Sequence, residues 1–174
     1  YWLAPTPMSS SKAVVLVGPM GVGKTTIGKK LAKRLEREFI DSDVLFTKAN
    51  GDISEFFASR GEAEFRELES EIVISQLNRP IVLATGGGAV LNEHTRQALA
   101  LATVVYLSTD GKHIGSRLRA GNRPLLKNGV SDWRAIYESR RALYEQVADI
   151  TIDTSSSSLQ TSIEAIVSEL KKLD

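Results

Sequence analysis

The sequence predicts an α/β fold in which a parallel sheet is covered by helices on both faces, and three observations predict it. An apolar, β-branched run at residues 13–17 stops at Gly18, the pattern of a strand buried on both sides. After it, Ile27, Leu31 and Leu35 recur every four positions among Lys29, Lys30, Lys33, Arg34 and Glu36, the mark of an amphipathic helix over residues 25–38. Strand and helix patterns then alternate to the end of the chain, which implies crossover connections and therefore parallel pairing.

In chain order, residues 38–40, 81–85, 104–107 and 150–152 are the further strand candidates. Helical periodicity runs over 53–77 with a break near Gly61, then over 93–101, 112–119, 132–147 and 158–173. Two interruptions read as functional loops: the glycine triplet at 86–88, and residues 120–129 with their Gly, Asn, Pro and basic side chains. The serine run at 155–158 reads as a solvated loop ending in a helix cap. No internal repeat is present.

A chain of 174 residues, 42% hydrophobic and 25% charged, suits one globular domain over residues 12–174. With 22 basic and 21 acidic side chains the formal charge is +1, which argues against a sequence-independent grip on nucleic acid or an anionic membrane. Any important positive charge must be local. The absence of cysteine removes disulfides, thiolate metal sites and thiol nucleophiles, and fits a reducing compartment. Apolar runs are too short to span a bilayer and residues 1–11 lack the features of a secretory signal, so we expect a cytoplasmic protein. The opening YWLAPTP has no starting Met and no hydrophobic period; residues 1–11 read as a disordered tail, or as an expression-derived addition ahead of a start at Met8.

The strongest motif is GPMGVGKT at 18–25, a phosphate loop with Gly18, Gly23, Lys24 and Thr25 at the defining positions. Chance alone produces it in roughly one chain in a hundred of this length, and here it lies between a strand and a helix, as its chemistry requires. Glycines let backbone N–H groups turn toward phosphates, and the helix adds its positive end. Gly21, Val22, Gly23, Lys24, Thr25 and Thr26 are the ATP-binding candidates, with Lys24 bridging the outer phosphates and the Thr25 hydroxyl on Mg²⁺. A plain strand-to-helix turn would need neither Lys nor Thr there. The dinucleotide fingerprint fails, because Thr26 stands at the third glycine position.

A phosphate loop alone does not separate a kinase from a GTPase, a motor or a binding module. Asp41 and Asp43, two apart after Phe39-Ile40, could both face the nucleotide crevice, one holding a metal's water shell and one accepting a proton from a hydroxyl. The bland alternative is a solvated turn or a helix cap. Gly86, Gly87 and Gly88 would permit a close backbone approach to a compact ligand, or simply form a turn. His94 and His113 have no metal-ligand spacing and read as solvent-facing; Phe56, Phe57, Phe65 and Trp133 read as packing residues.

In order and spacing, GPMGVGKTT, the Asp41-Ser42-Asp43 pair, GEAEFRELE around Arg66, the glycine triplet, RPLL at Arg123 and RRALYEQVA around Arg140 resemble the shikimate kinase family. The likeness covers nearly the whole chain from Ala13. It implies a three-layer P-loop kinase fold with a five-stranded parallel sheet of the nucleoside-monophosphate-kinase type, a substrate-binding region over about 41–77 and a lid over about 112–130. It also implies transfer of the ATP γ-phosphoryl group to the 3-hydroxyl of shikimate, with Mg²⁺ as cofactor and ATP and shikimate as the partners of a monomer.

By the same likeness Asp43 binds shikimate hydroxyls and serves as base, while Arg66, Gly87 and Arg140 contact the substrate and Gly86 and Gly88 complete that loop. Lys24 and Arg123 neutralise charge on the transferring group, Arg123 arriving on the lid and also touching ATP, and Asp41 reaches Mg²⁺ through water. Arg66 and Arg140 suit an acidic acceptor, since each offers a planar fork of donors to a carboxylate. Two departures stand out. The lid looks short between Arg119 and Arg123, which leaves Arg117 and Arg119 unassigned, and the loop after residues 152–154 is serine-rich where relatives often have a basic residue near adenine. A gluconate-type kinase is disfavoured by the glycine triplet and the paired aspartates. A nucleotide-dependent interaction module would bind MgATP without acceptor-dependent ADP release.

Overall fold

Strand alternation decides how the layers form. In β1 (Val14–Val17) every residue is buried, yet Val15 and Val17 enter one hydrophobic cluster while Val14 and Leu16 enter another. Successive side chains of a strand point to opposite faces, so both faces of β1 must be covered. The computed structural model, which describes residues 12–115, 129–155 and 157–174, has that three-layer arrangement.

On one face lie α1 (Lys24–Arg34) and the C-terminal α6 (Leu159–Leu173), which bury Ile27 and Leu31 against Ile163, Ile166 and Leu170. Their apolar spacing is the four-residue recurrence visible in the sequence. The other face is packed by α3 (Ile53–Gln76), the short α4 (Glu93–Ala98) and α5 (Val130–Val147), through Val73, Leu77, Trp133, Tyr137 and Tyr144. Between them, β2 (Phe39–Asp41), β3 (Val82–Ala84), β1, β4 (Thr103–Ser108) and β5 (Ile150–Asp153) form one sheet in the order β2-β3-β1-β4-β5, every pair parallel.

This order places the site. All strands run the same way, so the loops after β1, β2, β3 and β5 open on one edge of the sheet. β1 is flanked by β3 and β4, and the chain winds outward from it in both directions, which leaves a crevice beyond its carboxyl end, where α/β sheets bind ligands.

Several boundaries differ from the sequence reading. The strand expected at 38–40 lies one residue further on, and the helix expected over 93–101 divides into α4 and a 3-10 turn at Leu99–Leu101. The break near Gly61 is present, at φ 83°. Helix α2 (Ser42–Asn50) was not foreseen. It packs with α3 around Phe46, Phe56 and Phe65, whose rings make a satellite core with Phe46 at 5.1 Å from Phe56 and 4.8 Å from Phe65. The serine run does end in a cap, Ser158 accepting from the Thr161 N–H at 3.1 Å. Most of the helical pattern at 112–119 and of the loop at 120–129, with Arg117, Arg119 and Arg123, lies outside the described residues, as does the 1–11 tail. Among the described residues no helix is long and apolar enough to cross a membrane.

Candidate active site

The phosphate loop joins β1 to α1. Gly21 and Gly23 adopt φ of 81° and 106°, left-handed values that favour glycine, and Gly23 is the N-cap of α1. Lys24 is only 9% exposed and folds back over the loop, its Nζ donating to the Gly18 carbonyl at 2.5 Å and the Pro19 carbonyl at 3.0 Å. The Thr25 hydroxyl donates to Asp41 Oδ2 at 2.9 Å. The other oxygen of Asp41 accepts from the Asp43 N–H at 2.9 Å, capping α2. Asp41 is thus a helix cap and a phosphate-loop partner together.

A cavity of about 520 Å³ extends along this loop, within the usual range for a small ligand. Asp41, Asp43 and the Gly86-Gly87 backbone form one end. Thr154, Ser157, Leu159 and Ser162 form the other, beside the serine-rich loop. A second cavity of about 240 Å³ lies under α2 and α3, lined by Asp52, Phe57, Arg66, Glu69 and Arg140 among others. The two cavities share Met20, Asp43, Gly86 and Gly87.

Two arginines from different helices face the second cavity. Arg66 donates from Nη1 to Glu69 Oε1 at 2.8 Å and pairs with Glu62 at 3.3 Å, its guanidinium lying 5.0 Å from the Phe65 ring. Arg140 is 5% exposed. Burial pushes its guanidinium down, Tyr144 opposes this and Arg66 reinforces it. Arg140 stays charged all the same, because arginine gives up its proton only far above neutral pH. Two cations held side by side in a half-closed space favour an anion between them.

The glycine triplet explains itself by its neighbours. A Cβ at Gly86 would stand 2.8 Å from Glu69 Oε2 and 3.1 Å from Asp43 Oδ1, and one at Gly87 3.2 Å from the Met20 nitrogen. At Gly88 it would overlap the Arg66 guanidinium. The close approach is therefore to the protein's own acidic, basic and loop groups. Tyr144 fixes the triplet from behind, donating to the Gly87 carbonyl at 2.5 Å; burial pushes its phenol up to about 12.

Sequence reasoning missed Glu69 and Tyr144. Each had a readable signal, since Glu69 is three residues beyond Arg66 and Tyr144 four beyond Arg140, the spacings that share a helix face. Glu69 is 4% exposed, and its buried Oε2 has no hydrogen-bond partner among the described residues. Burial raises its pKa, and this outweighs the lowering by Arg66. The folded state therefore holds the Glu69 proton more tightly than the unfolded chain. Its stabilising contribution is full below the unfolded pKa, about 4.3, and is lost as pH rises through the folded value. The melting temperature of the parent should thus fall relative to that of Glu69→Gln as pH is raised from about 4.3 toward 7. A flat or rising difference would contradict the assignment.

Of the remaining expectations, His94 and His113 are exposed, and Phe56, Phe65 and Trp133 are buried in the core. Phe57 both packs on the aromatic satellite core and lines the second cavity.

A family profile described as shikimate kinase matches residues 20–171. The chain belongs to the shikimate kinase family. It is 44% identical over 169 residues to a shikimate kinase of Mannheimia succiniciproducens, covering 92% of this chain and 95% of the relative. A shikimate kinase of Streptomyces coelicolor is 46% identical over 149 residues, covering 83% and 87%. Among solved structures, the shikimate kinase from Acinetobacter baumannii in complex with shikimate superposes with a TM-score of 0.87 at 35% identity, covering 95% of this chain and 96% of that one. This member of the family is an ATP-dependent kinase.

Proposed function

We propose that this kinase transfers the γ-phosphoryl group of ATP to the 3-hydroxyl of shikimate, giving shikimate 3-phosphate and ADP. One observation supports it most: the cavity along the phosphate loop and the arginine-lined cavity meet at Asp43. An acceptor with a carboxylate at one end and hydroxyls at the other would set its carboxylate between Arg66 and Arg140 and its hydroxyls at Asp43. A relative of the same fold is described as a complex with shikimate.

In this reading Asp43 accepts the proton of the attacking hydroxyl from its place where the two cavities meet. Gly21, Val22, Gly23 and Thr26 present the loop around the phosphates. Lys24 leaves the carbonyls of Gly18 and Pro19 for the outer phosphates and neutralises charge developing there, and Arg123 does the same from the lid over residues 112–130. Gly86, Gly87 and Gly88 close the acceptor cavity. The Thr25 hydroxyl and the Asp41 carboxylate, already hydrogen-bonded, are a hard oxygen pair of the type Mg²⁺ prefers. Among the described residues no cluster of three or more His, Cys, Asp or Glu could hold a metal by itself, so phosphate oxygens would complete the shell. When bound, the ion supplies charge neutralisation between the outer phosphates. Alignment and electrostatics do most of the work, and the cytoplasm, where ATP is abundant, is the natural place for it.

A coupled ADP assay with MgATP and either shikimate, gluconate or no acceptor tests the reading. Release of ADP that depends on shikimate alone is expected. Release with gluconate instead would move the assignment to another sugar-acid kinase, and none with either would favour a nucleotide-binding module.

Gly88→Ala gives a sharper check on the acceptor cavity. The Gly88 backbone, at φ −100° and ψ 6°, accepts an L-residue, and the nearest atoms the new methyl meets are those of the Arg66 guanidinium. Displacing that group should raise KM for shikimate on the order of tenfold, equivalent to about 1.4 kcal/mol. The KM for ATP should hold. An unchanged shikimate KM would remove Arg66 from acceptor binding.

A further inference from the structure

The buried face of α5 consists of Trp133, Tyr137, Arg140 and Tyr144, four side chains that combine an apolar body with a polar tip. Each lies three or four residues from the next, so they form one stripe along the helix. Tyr137 is hydroxyl-bonded to Tyr106 on β4, and Tyr144 to the Gly87 carbonyl. Arg140 enters the acceptor cavity. At the start of the stripe, the Trp133 indole Nε1–H donates to the Met20 carbonyl at 2.7 Å.

That last contact bears on the phosphate loop. Three consecutive carbonyls, those of Gly18, Pro19 and Met20, are each held by a side chain: the first two by Lys24 and the third by Trp133. Pro19 and Met20 line one small gap together with Trp133, Ile136, Tyr137 and Arg140, and Met20 packs against the core cluster that holds Trp133 and Tyr137. Met20 further lines both cavities. When Lys24 turns to a phosphate, the Gly18 and Pro19 carbonyls lose its ammonium, Pro19 keeping the Val22 N–H at 3.3 Å, while the third stays tied to α5.

We infer that Trp133 is a positioning residue that passes the nucleotide state of the phosphate loop to Arg140, so that nucleotide and acceptor strengthen each other's binding. The inference rests on the functional reading above for the role of Lys24 and for the acceptor. It satisfies the requirement that a ligand bias two arrangements through contacts that differ between them, since Lys24 cannot bond loop carbonyls and phosphates with the same N–H groups. The indole bond supplies a rigid link one residue from the peptide that changes. Seven residues along the same helix face, Arg140 receives the displacement.

Two measurements test it. Calorimetric titration of shikimate with and without MgADP should show tightening by about fivefold or more in the parent, a coupling of ordinary size. In Trp133→Phe, which keeps a ring but loses the N–H donor, that factor should fall to near one while the shikimate Kd without nucleotide changes little. A merely structural role would alter both titrations alike. Equal coupling in the two proteins, or none in the parent, overturns the inference. The second measurement needs no variant at Trp133 and holds even if Trp133→Phe fails to fold. Trp2 and Trp133 are the two tryptophans of the chain, so Trp2→Phe leaves one indole N–H resonance. MgADP alone should shift that resonance; an unmoved peak at saturation overturns the inference. Absence of shikimate-dependent turnover in the parent would refute the functional reading alone, because the indole shift is read without shikimate and still decides the proposal.

Discussion

Replacing Lys24 with alanine should lower kcat by about 10³-fold or more while leaving a folded protein. The ammonium is nearly buried against two loop carbonyls, at 2.5 and 3.0 Å, and Lys24 lines the cavity proposed to receive the nucleotide. In the transition state, charge moves onto oxygens between the outer phosphates, and a positioned cation acts most strongly when water is excluded. Its loss removes an interaction that grows as the bond breaks, so kcat falls more than nucleotide affinity. The fold persists because the sheet and both core clusters do not depend on this side chain. Steady-state kinetics beside a circular-dichroism melt make the comparison, and a folded variant with near-parental turnover would place Lys24 away from the reacting phosphate.

The second large effect separates two aspartates that the sequence presents as a pair. Asp43→Asn should reduce kcat by about 10²- to 10⁴-fold, the usual range for a lost general base, while ATP binding survives. Asp41→Asn should act differently. Asparagine is as good a helix cap as aspartate, so α2 keeps its start, while the amide nitrogen that replaces Oδ2 donates to the Thr25 hydroxyl instead of accepting from it. What disappears is the negative charge beside the proposed metal position, so the Mg²⁺ requirement should rise while the acceptor KM changes little. Titrations of Mg²⁺ and shikimate on both variants decide the matter. The same metal-dependent defect in each, with shikimate affinity intact in Asp43→Asn, would refute the division, and the acceptor site would have to be sought away from Asp43.

The contrast between these residues shows why part of the site was legible and part was not. Lys24 and Thr25 sit in a contiguous motif whose backbone chemistry is local, so spacing alone identifies them. Asp41 and Asp43 were visible as a pair, but not the helix they begin. The sequence of α2 has no clean apolar period, with Ser42 and Phe46 its only buried residues, and the helix is held by the Asp41 cap and by Phe46 packing on α3. Glu69 was passed over because a charged residue on a helix is ordinarily solvated. Its burial comes from the glycine loop lying against it, 17 residues away in sequence at Gly86.

By itself the sequence determined the layered α/β fold, the phosphate loop and the candidate residues of the acceptor site, because hydrophobic period, glycine placement and motif spacing act over a few neighbouring residues. It also predicted, through the continuous apolar run of β1, that both faces of the sheet must be covered. Only the tertiary structure decided which of those residues meet. The Thr25 bond to Asp41 spans 16 residues, the Tyr144 bond to Gly87 spans 57 and the Trp133 bond to Met20 spans 113. None of these contacts leaves a periodic trace. They exist because parallel strands carry every loop to one edge of the sheet, where packing of α3 and α5 on the same face brings Arg66 and Arg140 together beside a backbone that only glycine allows so close.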